Sequence, residues 1–360
     1  MNKKKVAIIS NSLGKGGAER FAALLTFMLE DSDFEVHSII VNDVVDYSFT
    51  GNLFNLEKES SRYSFLFRKL KKGILLRRYL VQNNIEIVID SRSRNVLFRE
   101  LITRFIYRGL KINYIIHSYN FQNYFPASKF WSRIIYKNVE VLICVSKAIE
   151  QKVNQLYKLK NTVTIYNPFF IEKKELEKVL EPQNVILFFG RFDEKVKNFT
   201  LMLEAFSDSK IYLKDYKLHL MGSGNDVDFI QQKIGDLNLQ DYVEILPFKQ
   251  NPYNEVREAK FTLLTSHYEG FPMSVVESLA LGTPVVAVDC NSGPGEIIQN
   301  EFNGLLVENY NKEALALAIN RFADDDELYH FCKKNAAESV QHLSLKNISE
   351  QWKTLLINQK

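Results

Sequence analysis

The chain has 360 residues, 46% hydrophobic and 25% charged, with a formal net charge of +3; it is too long for one ordinary core, fits two domains, and has the composition of a soluble globular protein. Its three cysteines, Cys144, Cys290 and Cys332, are widely spaced, with no CxxC pair and no histidine at ligand spacing. That argues against disulfides and zinc and for a reducing cytoplasm, and no run nears the roughly 18 apolar residues of a membrane span.

The small net charge hides a polarity. Residues 1–170 carry 26 Lys and Arg against 14 Asp and Glu, a net of +12, and the remainder 20 against 29, a net of −9, so the first half is expected to face something anionic. The chain opens with Lys3, Lys4 and Lys5, but the apolar run Val6–Ile9 is too short for a signal peptide and reads as a first strand. Runs at Val6–Ile9, Val36–Val41, Ile85–Ile89, Tyr114–Ile116, Val141–Val145 and Val163–Tyr166 alternate with helical stretches, the βαβ pattern of a doubly wound sheet. The first strand leads into Gly14-Lys15-Gly16-Gly17-Ala18-Glu19, a glycine-rich turn that starts a helix. Glu19 stands where a dinucleotide fingerprint wants its third glycine, and Walker A spacing is absent.

Residues 62–80 and 94–110 mix Arg and Lys with Phe, Leu and Ile at helical spacing. Two readings stay open for them: core-facing helices with solvated basic faces, or helices that dock on an anionic membrane surface. No nucleic-acid motif accompanies the charge, so no nucleic-acid partner is expected. His117 follows the run Tyr114–Ile116 and should project at a sheet edge, although a lone histidine is more often structural. Asn167-Pro168 and the charged run from Glu172 to Pro182 mark a linker. The expected organisation is a first domain at 1–168, a linker at 169–183, a second domain at 184–340, and a final helix at 341–360. The apolar face of that helix, Ile348, Trp352, Leu355 and Leu356, would return to the first domain.

A second α/β series runs through Val185–Phe189, Lys217–Met221, Val243–Leu246, Phe261–Thr265 and Val285–Val288. Gly190 at the end of its first strand, followed by Arg191 and Lys197, puts two cations at the carboxyl edge of the sheet, where a diphosphate would need neutralising. Alone, such a loop is ordinarily a solvated surface. Gly222-Ser223-Gly224 follows the run Lys217–Met221, and Pro247-Phe248-Lys249 follows Val243–Leu246. The segment Tyr268–Ala280 sets Glu269 and Glu277 eight positions apart across a Gly-Pro turn that opens a helix at Ser274–Leu281. The amides of Gly270, Phe271 and Met273 surround the helix start. Two acids beside free amides suit a polyhydroxylated, phosphorylated molecule such as a nucleotide sugar. Asp226, Asp228 and Asp324–Asp326 are read as helix-start acids far from these motifs, which complement the helix dipole and hold no metal.

Tyr268–Ala280 resembles the E-x7-E signature of retaining family-4 glycosyltransferases. Gly190–Asn198 is similar to their G-R-x5-K pattern, with Asn198 closing it, and Gly16-Gly17-Ala18-Glu19 to their G-G-A-E turn. The resemblance spans nearly the whole chain and implies a GT-B fold: α/β, two Rossmann-like domains facing across a cleft, with the C-terminal helix crossing back. The implied activity is retaining transfer of a hexose or N-acetylhexosamine from a nucleoside-diphosphate sugar, with UDP expected, to a glycan or lipid-linked acceptor in bacterial surface polysaccharide, lipopolysaccharide or glycoconjugate synthesis. On this resemblance Glu277 holds the ribose hydroxyls, Glu269 with the backbone of Gly270, Phe271, Pro272 and Met273 holds the sugar hydroxyls, and Ser274 also binds substrate. Arg191, Lys197 and the Gly16-Gly17 amides stabilise the departing diphosphate, and His117 stands near the transferred sugar. Ser146 and Asn167 shape the cleft or hinge. The resemblance also implies that Gly222-Ser223-Gly224 lies beside the nucleotide and that the chain passes the base at Pro247-Phe248-Lys249, where Pro247 replaces a glycine of many relatives, while Ser292–Glu296 resembles a turn of members that use UDP-hexose or UDP-N-acetylhexosamine. No metal and no cofactor are implied, Arg191 and Lys197 doing the ion's work. The expected location is cytoplasmic, with peripheral association at the inner face of the membrane left open. The rivals are an inverting transferase of the same fold and a non-catalytic partner subunit that binds a nucleotide sugar or stabilises an active transferase.

Overall fold

The computed structural model of the chain describes residues 3–14, 16–31, 34–172, 175 and 180–359, the side chains of residues 65 and 66 excepted. They divide into two units, residues 1–167 with 345–360 and residues 168–344. Among the described residues no helix is long and apolar enough to cross a membrane.

The first unit holds a parallel sheet of seven strands, β1 (Lys4–Ser10), β2 (Phe34–Ile40), β3 (Asn52–Asn55), β4 (Ile87–Asp90), β5 (Lys111–Ile116), β6 (Val141–Cys144) and β7 (Thr162–Thr164), in the order 3-2-1-4-5-6-7. Runs such as Val6–Ile9 and Ile87–Ile89 are buried along their whole length because helices cover both faces of the sheet. On one face helix Gly17–Glu30 packs beside the C-terminal helix Leu345–Ile357. Trp352 is fully buried there, its ring 6.0 Å from that of Phe21. Of the four residues expected on that apolar face, Ile348, Trp352 and Leu356 are buried, and Leu355 is only partly so. Past the helix end, Gln359 exchanges hydrogen bonds with Asn113 on β5, the amide of Gln359 donating at 2.6 Å. The helices Phe65–Gln82, Leu97–Ile106, Lys129–Tyr136 and Lys147–Tyr157 are each packed on the next, and the right hand that parallel crossovers take puts them over the opposite face.

Arg94 is not part of a solvated basic face. It is almost fully buried where β4 ends, donating to Ile115 O at 2.9 Å and stacking over the Tyr114 ring at 4.4 Å. Beside it Asp90 accepts from Arg92 at 2.7 Å and from the Tyr107 hydroxyl at 2.9 Å. Burial opposes the Asp90 charge, yet Arg92 and Arg94 hold its carboxyl below the usual range. Glu100, accepting from the Tyr136 hydroxyl at 3.2 Å, goes the other way, pushed up by burial from 4.5 to about 7 despite Arg94. The folded chain therefore keeps a proton that the unfolded chain has released at neutral pH. The contribution of this group is full below pH 4.5 and is lost as pH rises to about 7. Glu100→Gln should accordingly match the parent near pH 4.5 and exceed it by roughly 3 kcal/mol at pH 8. Urea titrations at both pH values check this, and a pH-independent difference would sink it.

The second unit holds six parallel strands, β8 (Gln183–Phe192), β9 (Lys217–Gly224), β10 (Val243–Pro247), β11 (Ala259–Leu264), β12 (Val285–Asp289) and β13 (Gly304–Glu308), in the order 10-9-8-11-12-13. Its core centres on Phe188, Phe192, Phe199, Phe206, Phe261 and Phe322. In each unit the strand order reverses once, between β1 and β4 and between β8 and β11. Loops leaving the carboxyl ends of those strands flank a crevice suited to ligands.

The boundaries differ from the sequence reading in places. Pro168 starts the second unit, because Phe169 N donates to Leu343 O at 3.1 Å and Phe170 O accepts from the Tyr253 hydroxyl at 3.1 Å. Gln183, expected in the linker, is already in β8, and residues 341–344 remain with the second unit. Lys173, Lys174, Leu176, Glu177, Lys178 and Val179 of the expected linker lie outside the described residues. Strands β3 and β13 were not anticipated: both are short edge strands with weak patterns, NLFN and GLLVE.

Candidate functional site

The reversal between β8 and β11 gathers most of the expected residues of the second unit. β8 runs three residues past the expected end, so Gly190 and Arg191 are strand residues. Arg191 carries its guanidinium into solvent at 71% exposure, its nearest acid Asp193 at 3.9 Å. One helical turn, Glu194–Lys197, follows, and then Asn198 in the left-handed conformation, φ 54°, which asparagine tolerates better than most residues. Asn198 accepts from Leu201 N at 3.2 Å and so caps helix Phe199–Ser209. Glu194 accepts from Phe199 N at 2.6 Å and from the Thr200 hydroxyl at 2.7 Å. The Arg191–Asn198 loop is thus held at both ends while Arg191 stays available.

The loop after β11 closes onto it. Lys197 Nζ donates to Glu269 Oε1 at 2.6 Å, in an ion pair only 14% and 11% exposed. The Ser266 hydroxyl donates to the same oxygen at 2.6 Å. Thr265 Oγ1 donates to Lys197 O at 2.9 Å and His267 N to Val196 O at 2.8 Å, so the two loops form one surface. Glu269 N donates to Asn291 O at 3.1 Å and the Ser292 hydroxyl to Gly270 O at 2.7 Å. Gly293, at φ +105°, lies so close to Pro272 that a Cβ would strike its ring. The Ser292–Glu296 turn therefore braces the Gly270–Pro272 segment. Helix Met273–Ala280 begins one residue earlier than expected, with Pro272 as N-cap and no side-chain cap. Its first-turn amides lie beside partly exposed Met273 and Ser274, which favours an anionic or hydroxyl-bearing group there. Phe271 is buried beneath this turn, and Glu277 lies on the helix, 5% exposed.

Gly222 sits on β9 in register with Gly190, and a Cβ there would run into the Gly190 carbonyl oxygen. Close strand approach is sufficient reason for the glycine. Phe248, just after β10, is exposed. The expectation that Asp226 is far from the site motifs fails, because its carboxylate accepts from Glu194 N at 2.7 Å and ties the turn after β9 to the Arg191 loop. Asp324 ends a helix and pairs with Lys214, while Asp325 caps the next helix through Leu328 N at 2.9 Å. Among the described residues no three His, Cys, Asp or Glu side chains are grouped to hold a metal.

In the first unit Gly16 is the N-cap of helix Gly17–Glu30, again without a side-chain cap. His117 follows β5, shares a hydrogen bond of 2.7 Å with Ser91 through Nε2, and meets the Phe21 ring edge-on at 5.4 Å. Burial and the nearby Arg94 charge hold its pKa down to about 3. The imidazole is therefore neutral at physiological pH, able to exchange a hydrogen bond but not to serve as a cation. Ser146 accepts from Ile149 N at 3.2 Å and caps helix Lys147–Tyr157. Sequence reasoning missed Ser91, Thr265, Ser266 and Asp226 as supports. Only Ser266, a hydroxyl three positions before Glu269, carried a local signal.

Residues 170–339 match the family model of the group 1 glycosyl transferases. Over 348 residues, 92% of this chain and 94% of the relative, the sequence is 29% identical to the N-acetylgalactosamine-N,N'-diacetylbacillosaminyl-diphospho-undecaprenol 4-alpha-N-acetylgalactosaminyltransferase of Campylobacter jejuni. Among solved structures, a complex of S. aureus TarM with UDP, alpha-GlcNAc-glycerol and fondaparinux is similar at a TM-score of 0.80 and 16% identity, over 98% of this chain and 99% of that one. Anabaena HepE in complex with UDP and glucose is similar at 0.78 and 17% identity, over 98% and 99%.

Proposed function

We propose that the chain, whose fold is that of GT-B structures and whose C-terminal unit matches the group 1 glycosyl transferases, is a glycosyltransferase that moves a hexose or N-acetylhexosamine from UDP to a lipid-linked glycan with retention of configuration. The observation that carries this reading is the pairing of an exposed Arg191 with the buried Lys197–Glu269 ion pair at the strand-order reversal of the second sheet. The relatives give the substrates their plausibility: a transferase acting on a diphospho-undecaprenol glycan, and neighbours crystallised with UDP.

In the proposed reaction Arg191 and Lys197 carry the negative charge that grows on the diphosphate. Glu269 and the backbone from Gly270 to Met273 orient the sugar, and Glu277 the ribose. The bond between the anomeric carbon and the diphosphate oxygen breaks as the acceptor oxygen bonds to that carbon on the same face. The acceptor proton passes to the leaving phosphate oxygen. Two side-chain cations serve in place of a divalent ion. The protein would work in the cytoplasm at the inner face of the cell membrane, where a lipid-linked acceptor resides.

The test is release of nucleoside diphosphate from a panel of UDP-, GDP- and ADP-sugars in EDTA. One donor should turn over, and Arg191→Ala should lower that turnover about a hundredfold. A requirement for added metal would overturn the metal-free step, and an inverted product anomer, read by proton NMR, would overturn retention. A non-catalytic partner subunit would bind UDP and release nothing whatever acceptor is supplied.

A further inference from the structure

The first unit carries a second surface that the transfer reaction does not use. In helix Leu97–Ile106 the usual burial pattern is inverted. The side turned to the protein holds Glu100, 2% exposed, and Thr103, while Phe98 and Phe105 are 73% and 72% exposed. Phe98, Leu101, Ile102 and Phe105 follow the i, i+3, i+4, i+7 spacing of one helical stripe, which in a globular protein ordinarily faces the core. The two packed neighbours extend the same layer. Helix Phe65–Gln82 exposes Phe67, Leu70 and Ile74, and helix Lys129–Tyr136 exposes Phe130, Trp131 and Ile134 while burying Ser132. An apolar surface of this extent needs a partner.

Charge identifies the kind of partner. Between residues 62 and 137 there are 16 Lys and Arg against three Asp and Glu. Two of those three acids, Asp90 and Glu100, are buried, and Glu86 lies at the opposite, amino end of β4. Exposed Lys69, Arg78, Arg99, Arg108, Lys129 and Arg133 stand among the aromatic residues without a competing surface acid. Phe and Trp interleaved with Arg and Lys, on helices lying side by side, suit the boundary of an anionic bilayer. Aromatic rings sink into the acyl edge there, and basic ends reach phosphate headgroups.

We propose that the helical layer formed by Phe65–Gln82, Leu97–Ile106 and Lys129–Tyr136 is the face by which this protein docks on anionic membrane, with Phe98, Phe105 and Trp131 inserted. This deepens the reading of a lipid-linked acceptor and names the face that meets the bilayer in which such an acceptor sits. The chain carries its own probe. Of its two tryptophans, Trp352 is fully buried and Trp131 is 41% exposed on this layer.

The full-length protein is mixed with vesicles of equal phosphatidylglycerol and phosphatidylcholine, or of phosphatidylcholine alone, with and without brominated acyl chains. The expected result is at least tenfold tighter binding to the anionic vesicles, with brominated lipid quenching emission that disappears in Trp131→Phe. Phe98→Ser with Phe105→Ser should weaken binding at least tenfold, with thermal stability and donor hydrolysis unchanged. Arg99→Glu with Arg108→Glu should lose the preference for anionic lipid. Equal binding to both vesicles, or undiminished binding by the serine variant, overturns the proposal. So does a concentration-dependent dimer in sedimentation velocity that the serine variant abolishes while no vesicle binding is seen, since the face would then join two copies. Vesicle binding without donor release would remove the transferase reading and leave this one intact.

Discussion

Lys197→Met is expected to cut donor turnover about a hundredfold, the loss of one preorganised positive group beside the leaving diphosphate, on the order of 3 kcal/mol. The same change should also destabilise the protein, because the Glu269 carboxylate would be left nearly buried without its cationic partner, accepting from the Ser266 hydroxyl. Breaking a buried pair from one side costs about 3 kcal/mol or more. The two effects separate in a cycle. Glu269→Gln added to Lys197→Met removes the stranded charge and should restore most of the stability while leaving turnover low. Urea denaturation and UDP release measured on all four proteins decide the matter. Turnover that recovers along with stability would show that the pair only holds the loops together.

Gly222→Ala should lower the stability of the second unit by roughly 3 kcal/mol, about 6–12 °C in its calorimetric transition. The added Cβ would overlap the carbonyl oxygen of Gly190 on the paired strand. The obstacle is backbone, so no rotamer change relieves it. β8 and β9 must part next to Arg191, which pairs with Ser223 on β9, so donor turnover should fall as well. Gly17→Ala is the stability control, since a Cβ there meets nothing within 4 Å. A Gly222→Ala protein as stable as the parent would mean that the strands are not held as closely as the register indicates.

Much of the fold was legible where burial writes a pattern. Val6–Ile9 and Val285–Val288 are continuous apolar runs, and Phe261–Leu264 is one broken only by buried Thr262, because helices cover both faces of a parallel sheet. β3 and β13 escaped because an edge strand is half solvated and needs no such run. The carboxylates at 269 and 277 and the cations at 191 and 197 were legible as a spacing around strand ends. Their contacts were not, because the Lys197–Glu269 and Asp226–Glu194 bonds join loops that are 72 and 32 residues apart in the chain.

The sequence by itself determined the alternation of strands and helices, the place of the main site residues at strand ends, and the contrast between a basic first half and an acidic second half. Each of these follows from periodicity or composition, which neighbouring residues carry together. The tertiary structure alone decided which side each residue presents. It showed that Arg94 and Glu100 of a seemingly solvated basic stretch are interior while Phe98 and Phe105 are outside, and that His117 is neutral because of its surroundings. A helical stripe states only that one face differs from the other. Which face meets the protein depends on groups brought from elsewhere in the chain, here Asp90, Tyr114 and Tyr136, whose hydrogen bonds, charge and aromatic contacts make an inward Arg94 and Glu100 tolerable.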